Sequence, residues 1–582
     1  MEEFSAQSII SNLEILRGNR TGLNEKLEQV ASFLSPAKFG AMTIDRSGSM
    51  SRNEPEKRPR QIVCDFAQEA ANTFTRGLFS NLFPPSVRWF SYSLSYPEQK
   101  NLPEEFKRYF ASASQAAYDL LYATNWTTEM SEICEECPST GTVTMSVVFD
   151  PERILKFKCH HLSNIYCTSS DDTTIDTVYE VIPLTARQAL NRFGRNGDLL
   201  GKRLLDDAKS GDVSRSEKLY TIIHFVTPNP NRKFRTVERE GRTISEPVQG
   251  PEGKRFLSFY VEKEEKLLIR RGGFDHNPYT VGRIDNMAFG VYGFSPGLRA
   301  LRTMKLLNKT YAIYINALDA ALRPSVIVDS CVYDGISPEF YFDPGSVNLY
   351  NSGGGKFNPP QFVTPPANLP GGLEFINQGR QLLDRFFFRD LFTIIQQMNE
   401  QSGRQRTARE IQELVSEKNS QILPLVARFL DELVTPVLKT VFRIIFENTS
   451  LFGPPPSGLE DFLGETSINL QYFSPLALAA KATKIQGTIA AIEDIMPLLQ
   501  IKPEVLDMID LDKLFTDMLE VRGANPDHIL TMSKVRQIRD ERQQQMQQQQ
   551  LMEQAAKLAG GQNLNETPQP GSLAAQLAGG GA

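Results

Sequence analysis

Between Ile411 and Ile444 the chain carries its strongest helical signature. Ile411, Leu414, Val415, Ile422, Val426, Phe429, Leu433, Val437, Val441 and Ile444 form one apolar face, with Arg428, Glu432, Lys439 and Arg443 on the other. Pro424 and Pro436 fall inside the pattern. A proline removes a main-chain donor and clashes with the preceding turn, so the spacing predicts a segmented or kinked helix rather than a straight rod. A stripe of this length has to be covered by a large surface. With 582 residues, 40% of them apolar and 23% charged, the chain can build one, and its length leaves room for about four domains.

The segments on either side alternate in character. Residues 1–60 are polar and mixed, with a helical stretch near Leu23–Leu34 and an Arg/Ser/Pro-rich loop from Arg46 to Pro59. Ile62, Phe66, Ala70, Phe74 and Leu78 predict a helix over 61–83, stopped by Pro84 and Pro85; more helix is expected over 101–137. From Thr142 to Val181, β-branched and aromatic residues alternate and predict strands, with turns at Asp150-Pro151 and Ser169–Asp172. Further strands are expected at Tyr220–Val226 and Phe256–Ile269, separated by a Pro/Gly/Arg-rich loop. After Gly293 helix returns, with Pro296 in its first turn and Leu301, Met304, Tyr311, Ile315, Leu318 and Leu322 as one apolar stripe. An irregular β/loop segment (325–372) precedes a helix from Leu373 to Gln396. A polar, basic break, Asn399 to Arg406, leads into the long kinked helix. Shorter helices are expected over 475–542, then a glutamine run (Gln543–Gln550) and a disordered Gly/Ala/Gln tail. No internal repeat is visible.

Charge and cysteine content narrow the function classes. Lys+Arg is 63 against 69 Asp+Glu, a net −6, which argues against histone-like DNA binding along the whole chain. Six cysteines are too sparse for a disulfide framework and fit a reducing compartment. The start MEEFSAQSII lacks the basic and apolar regions of a secretory signal, and no apolar run of about 18 residues predicts a membrane span. A soluble protein, intracellular when made, is the expectation.

Three motifs hint at chemistry. Asp45, Ser47 and Ser49 spell the D-x-S-x-S of metal-dependent adhesion sites, but the lead-in is weakly strand-like and a solvated loop is the better reading. Cys134 and Cys137 form a C-x-x-C that Cys159, His160, His161 and Cys167 would have to complete as a zinc site. The second half lacks the tight spacing and lies in a strand pattern, where alternate side chains face opposite ways. Gly353-Gly354-Gly355-Lys356 fails the phosphate-loop pattern at Tyr350 and Phe357. With five histidines in the chain, general bases are scarce, no catalytic centre is nominated and no cofactor is expected. Two basic features remain. Arg299, Arg302, Lys305 and Lys309 share a helical face, and Arg404, Arg406 and Arg409 cluster at the break before the long helix. Each reads as a solvated face or as a set of phosphate contacts.

Order and wording together resemble one family. FAQEAANTFTRGLFSNLFPPSVRWF (66–90), DTVYEVIPLTARQALNRFG (176–194), YGFSPGLRALRTMKLLNK (292–309), RTAREIQELVSEKNSQILPLVARFLDELVTPVL (406–438) and SPLALAAKATKIQGT (474–488) are similar, in order, to blocks of the portal (head-to-tail connecting) proteins of short-tailed phages. The resemblance spans about residues 60–540. It implies an α+β, helix-dominated subunit of a ring, about twelve copies, with wing, stem, clip and crown. The wing would be 61–294 with the long helix and connector 407–474, the stem 295–324 and 373–395, and the clip 325–372. The tunnel loop would be 396–406 and the crown or barrel 475–558, leaving 1–60 and the tail 559–582 outside. The implied role is a non-enzymatic channel at one capsid vertex for sequence-independent passage of double-stranded DNA. Implied partners are a separate terminase motor, scaffolding and major capsid proteins, and tail or adaptor proteins. The implied site is the virion, without membrane insertion, after synthesis in the host cytoplasm. Arg404, Arg406 and Arg409, with Arg299, Arg302 and Lys305, become candidate channel residues. The rival readings are a metal-binding interaction protein built on the Asp45 or Cys134–Cys167 groups, and a non-viral helical scaffold.

Overall fold

The computed structural model describes residues 4–36, 62–85, 88–94, 104–150, 154–170, 174–194, 198–239, 242–287, 290–329, 340–350, 359–363, 369–389, 392, 424–448, 454–456, 459, 468–473, 514–515, 518 and 532–559. The chain divides into two compact units, Met1–Ala480 and Lys481–Ala582, and mixes helix with sheet.

The first unit opens with α1 (Ala6–Leu34), started by Ser5, whose hydroxyl accepts from the Ser8 N–H at 3.2 Å. Only its second half is legible as a helix in the sequence. Up to residue 26 it buries only Ile9, Leu13, Arg20 and Asn24, too few apolar positions to show as a stripe; Leu27, Val30, Phe33 and Leu34 supply the apolar face of the second half. Helices α2 (Phe66–Leu82), α3 (Glu104–Ala123) and α4 (Trp126–Thr140) follow. They enclose the main core with strand β1 (Phe90–Leu94), where Trp89 stacks on Trp126 at 6.3 Å and on Tyr472 at 6.4 Å. Strand β15 (Ile468–Tyr472) pairs antiparallel with β1, tying residues distant in sequence into one core.

The β-rich part comprises β2 (Thr142–Asp150), β3 (Ile154–His160), β4 (Ile165–Thr168), β5 (Thr177–Thr185) and β6 (Leu219–Pro228), then β7 (Phe234–Arg239), β8 (Arg242–Pro247), β9 (Phe256–Glu262), β10 (Leu267–Phe274) and β11 (Tyr279–Arg283). Five strands form an antiparallel sheet in the order β10-β9-β6-β5-β4, and β11-β2-β3 form a second sheet. The two meet over Ile165, Cys167, Val178, Val226, Tyr279 and Val281. One face of the larger sheet is covered by Ile9 and Leu13 of α1. The other is covered by α5 (Ala186–Phe193) and α6 (Lys202–Lys209), with the short α7 (Val213–Ser216) beside them. Helix α5 starts in a capping box between Thr185 and Gln188, within the 176–194 block. The stretch expected to be a loop between the strand pairs instead holds the β7–β8 hairpin. Arg and Glu occupy so many of its positions that the period-2 pattern does not show.

Helix α8 (Pro296–Leu322) then runs out from the core. Ser295 caps it, accepting from the Leu298 N–H at 2.9 Å, and Pro296 occupies the first turn. After β12 (Ser325–Asp329), β13 (Val347–Tyr350) and β14 (Gln361–Val363), which form a small mixed sheet, α9 (Leu369–Phe386) returns antiparallel along α8. Two glycines let the helices approach. A Cβ on Gly379 would lie 2.8 Å from Leu307 and one on Gly372 3.0 Å from Tyr314. That registry runs out near residue 317 of α8, where α9 begins. The last turn of the α8 stripe therefore passes beyond α9, and Leu318 and Leu322 are exposed instead of buried, while Ile315, within the registry, is 41% exposed.

The long helix is described from residue 424. It is continuous through Pro436 but contains a π-helical turn, Leu430–Val434, in which the Thr435 N–H reaches back five residues to the Leu430 carbonyl. The π turn directly precedes Pro436, which sits in the first turn of α10 (Thr435–Glu447), and α10 continues with Val437, Leu438, Val441, Ile444 and Ile445 buried. In the second unit, α11 (Met532–Ala559) holds the glutamine run within a single helix. Its described side chains from 537 to 552 are exposed. Among the described residues no helix is long and apolar enough to cross a membrane.

Candidate functional site

The α8 basic face divides in two. Arg299 is tied down: its guanidinium pairs with Asp285 and lies 5.6 Å from the Phe294 ring centroid. Lys305 donates to the Gln29 side chain of α1. Arg302 and Lys309 are exposed and have no hydrogen-bond or ion-pair partner among the described residues. They share their side of the helix with exposed Leu306 and Ile313. Arg404, Arg406 and Arg409 lie outside the described residues, as do Asp45, Ser47, Ser49 and Gly353–Lys356.

Arg299 belongs to a cluster that joins α8 to the long helix. Asp285 also takes Arg428 at 3.2 Å. Glu432, in the π turn, takes Arg283 through both oxygens at 2.8 Å and accepts the Arg283 main-chain N–H at 3.0 Å. Arg428 lies 3.9 Å from Glu432. Three guanidiniums thus share two carboxylates. The spacing puts Arg428 and Glu432 on an exposed face, but nothing local in the sequence points to their partners in β11 and the loop after it.

The cysteine group does not form a zinc site. Cys134 and Cys137 are fully buried on α4, Cys159 lies on β3 and Cys167 on β4, and among the described residues no three His, Cys, Asp or Glu side chains are placed to hold a metal. Burial pushes the Cys134 and Cys137 thiols far up and that of Cys167 up to about 12. The two histidines are used otherwise: His161 faces Glu136 at 3.7 Å, and His160 enters a buried chain of polar groups.

That chain has no signature in the sequence. His160 Nε2 meets Ser146 Oγ at 2.8 Å, and its Nδ1 meets Glu180 at 2.8 Å. Lys158 and the Tyr279 hydroxyl also donate to Glu180, at 3.0 and 2.6 Å. Tyr279 in turn meets His224 Nδ1 at 2.5 Å, whose Nε2 lies 2.8 Å from Ser258 Oγ. Burial alone would raise Glu180, but His160, Lys158 and Tyr279 outweigh it and hold its carboxyl well below the usual range. The order Ser146–His160–Glu180 is that of a hydrolytic triad. Yet Ser146 is 7% exposed and sits mid-strand between two hydrogen-bonded neighbours, so a substrate carbonyl has no approach to its hydroxyl. The sequence offers only two histidines among strand residues, a pattern that most often means a satisfied core.

A second buried carboxylate behaves differently. Glu262 is fully buried. One oxygen accepts the Gly201 N–H at 2.9 Å, the other has no partner, and Glu264 and Glu265 lie nearby. Burial, reinforced by those two charges, raises its pKa. A raised carboxyl pKa destabilises the fold above that pKa and ceases to do so as pH falls through it. Glu262→Gln keeps an acceptor for Gly201 and is expected to stabilise the chain by on the order of 1 kcal/mol at neutral pH. In thermal unfolding followed across pH, the gain should shrink toward acid; a gain independent of pH would contradict the assignment.

Comparison with known proteins agrees with this architecture. A portal protein of Salmonella phage epsilon15 is 25% identical over 573 residues, covering 97% of this chain and 96% of the relative. A probable portal protein of Bordetella phage BPP-1 is 22% identical over 567 residues, covering 96% and 95%. The family described as bacteriophage head to tail connecting protein matches residues 6–530, nearly the whole chain. The protein belongs to that family.

Proposed function

We propose that the chain is one subunit of a closed ring, about twelve copies, at one vertex of a short-tailed phage capsid, and that the ring is the channel through which double-stranded DNA enters and leaves. The observation that carries this reading is the α8–α9 hairpin, in a chain of this family. It projects from the core with apolar side chains left uncovered on both helices, among them Leu318 and Leu322 on α8 and Phe375 and Leu382 on α9. A protein this size does not leave such a surface to water without a partner, and a neighbouring copy rotated about one axis covers it repeatedly. The hairpin is then the stem, the small sheet and its connections over 325–372 the clip, residues 61–294 with 407–474 the wing, 396–406 the tunnel loop and 475–558 the crown. The role is structural; terminase, capsid, scaffolding and tail proteins are the partners at its two ends.

DNA has to slide through such a channel, which favours few and sequence-blind contacts. Arg302 and Lys309, unpaired and interleaved with Leu306 and Ile313, fit that need, and Arg404, Arg406 and Arg409 are candidates in the tunnel loop. Arg299 and Lys305, already partnered, are weaker ones. Electron microscopy of the purified chain is expected to give closed rings with a bore wider than a duplex of roughly 20 Å. A compact monomer at every concentration, or a different closed shape, would overturn the reading. In rings carrying Arg302→Gln with Lys309→Gln, the salt slope of duplex binding should fall by roughly 0.9 for each phosphate that is no longer neutralised. An unchanged slope removes these two residues from the channel.

A further inference from the structure

The buried polar chain of the β-rich part has no place in DNA passage. We propose that Ser146–His160–Glu180–Tyr279–His224–Ser258 is a pH-responsive latch that holds the two sheets together at neutral pH and lets them part when His224 takes a proton. The chain crosses between sheets at each step around Glu180. Ser146, His160 and Tyr279 belong to the β11-β2-β3 sheet, while Glu180, His224 and Ser258 belong to the five-stranded one.

Proton positions follow from the donors available. Tyr279 has one hydroxyl proton, and it goes to Glu180 at 2.6 Å, so its oxygen accepts from His224 Nδ1–H. Neutral His224 then has a bare Nε2, to which the Ser258 hydroxyl donates. A proton added at Nε2 reverses the Ser258 bond and leaves a full charge inside the sheet. The groups facing that charge come from every packed element. Tyr260 of β9 stacks on the ring at 4.0 Å, and Phe274 of β10 lies at 6.4 Å. Arg192 of α5 and Arg270 of β10 sit 5.9 and 6.0 Å from the Tyr260 centroid. Across the sheet interface lie Lys158 and His160 of β3; on the negative side Glu180 of β5 meets both of them, and Asp198 pairs with Arg270. Burial drives the imidazole down to about 3 against the attraction of Glu180, with Arg192, His160 and Lys158 acting in the same direction as burial.

The sign is fixed by that depression. A histidine lowered from 6.5 to about 3 contributes stability that is complete above 6.5 and is lost as pH falls toward 3. Local opening of the sheets therefore becomes about tenfold easier per pH unit below 6.5.

Hydrogen–deuterium exchange of the full chain, corrected for the intrinsic pH dependence of exchange, tests this between about pH 7.5 and about pH 5. Peptides covering 219–228, 256–262 and 279–283 are expected to lose protection about tenfold per unit below 6.5, with those from α2 unchanged. In His224→Gln the same peptides should show a flat profile. A wild-type profile that is flat, or a variant profile as steep as wild type, overturns the latch. If the variant does not fold, the wild-type comparison of sheet and α2 peptides decides alone.

Discussion

Glu432→Ala is expected to destabilise the folded subunit by about 3 kcal/mol, the cost of breaking a buried ion pair by removing one partner. The side chains are 10% exposed at Arg283 and 24% at Glu432, and the carboxylate also holds the Arg283 main-chain N–H. Without Glu432, Arg283, Arg428 and Arg299 face Asp285 alone, a net charge of two in place of one. The site cannot relax easily: a Cβ on Gly282 would stand 2.7 Å from Leu433, so β11 is pressed against the π turn. The damage should come from the stranded charges rather than the broken pair. Arg283→Met combined with Glu432→Leu should therefore recover most of the stability. Urea unfolding of Arg283→Met, Glu432→Leu and the double reads this directly. Additive losses in the double would mean that the two residues act independently and that the cluster does not join β11 to the long helix.

That cluster also marks the limit of what the sequence discloses. Elements with strong local signals are legible: the described part of the long-helix stripe from Val426 to Ile444, the Pro84-Pro85 stop, the Ser295-Pro296 start of α8 and the alternation in β2. What escapes depends on partners far along the chain. The first half of α1 does not show because it covers polar positions whose neighbours, such as the Ile165 carbonyl for Arg20, are supplied by the β-rich part. The β7–β8 hairpin does not show because its charges mask the alternation. The π turn at Leu430–Val434, next to Pro436, is an irregularity that a kink forecast captures only in kind. At the candidate site, spacing puts Arg299, Arg302, Lys305 and Lys309 on one face, but only the fold separates the two that are partnered from the two that are not. The cysteine spacing hints at a metal because sequence distance does not show that Cys134, Cys137 and Cys159 pack in one core while Cys167 lies in another.

Under the proposed ring, the α8–α9 hairpin carries the largest effect on assembly. Phe375 and Leu382, seven residues apart on α9, share a face and are 47% and 45% exposed. In an isolated subunit their replacement by glutamate should be nearly silent, since neither is part of the core, and the melting temperature of the monomer should hold. In a ring each copy presents this flank to a neighbour. Burying one such side chain is worth about 1.5–3 kcal/mol, and the double variant forfeits both and adds two charges at each of the repeated interfaces. Phe375→Glu with Leu382→Glu is thus expected to leave folded monomers and no rings in sedimentation or electron microscopy. Met304→Glu is the contrasting case. Met304 is buried between α8 and the core, so that variant should lose the fold itself. Rings that form normally with both glutamates in place would put the subunit interface on another surface, and would remove the assignment of α8 and α9 as the stem.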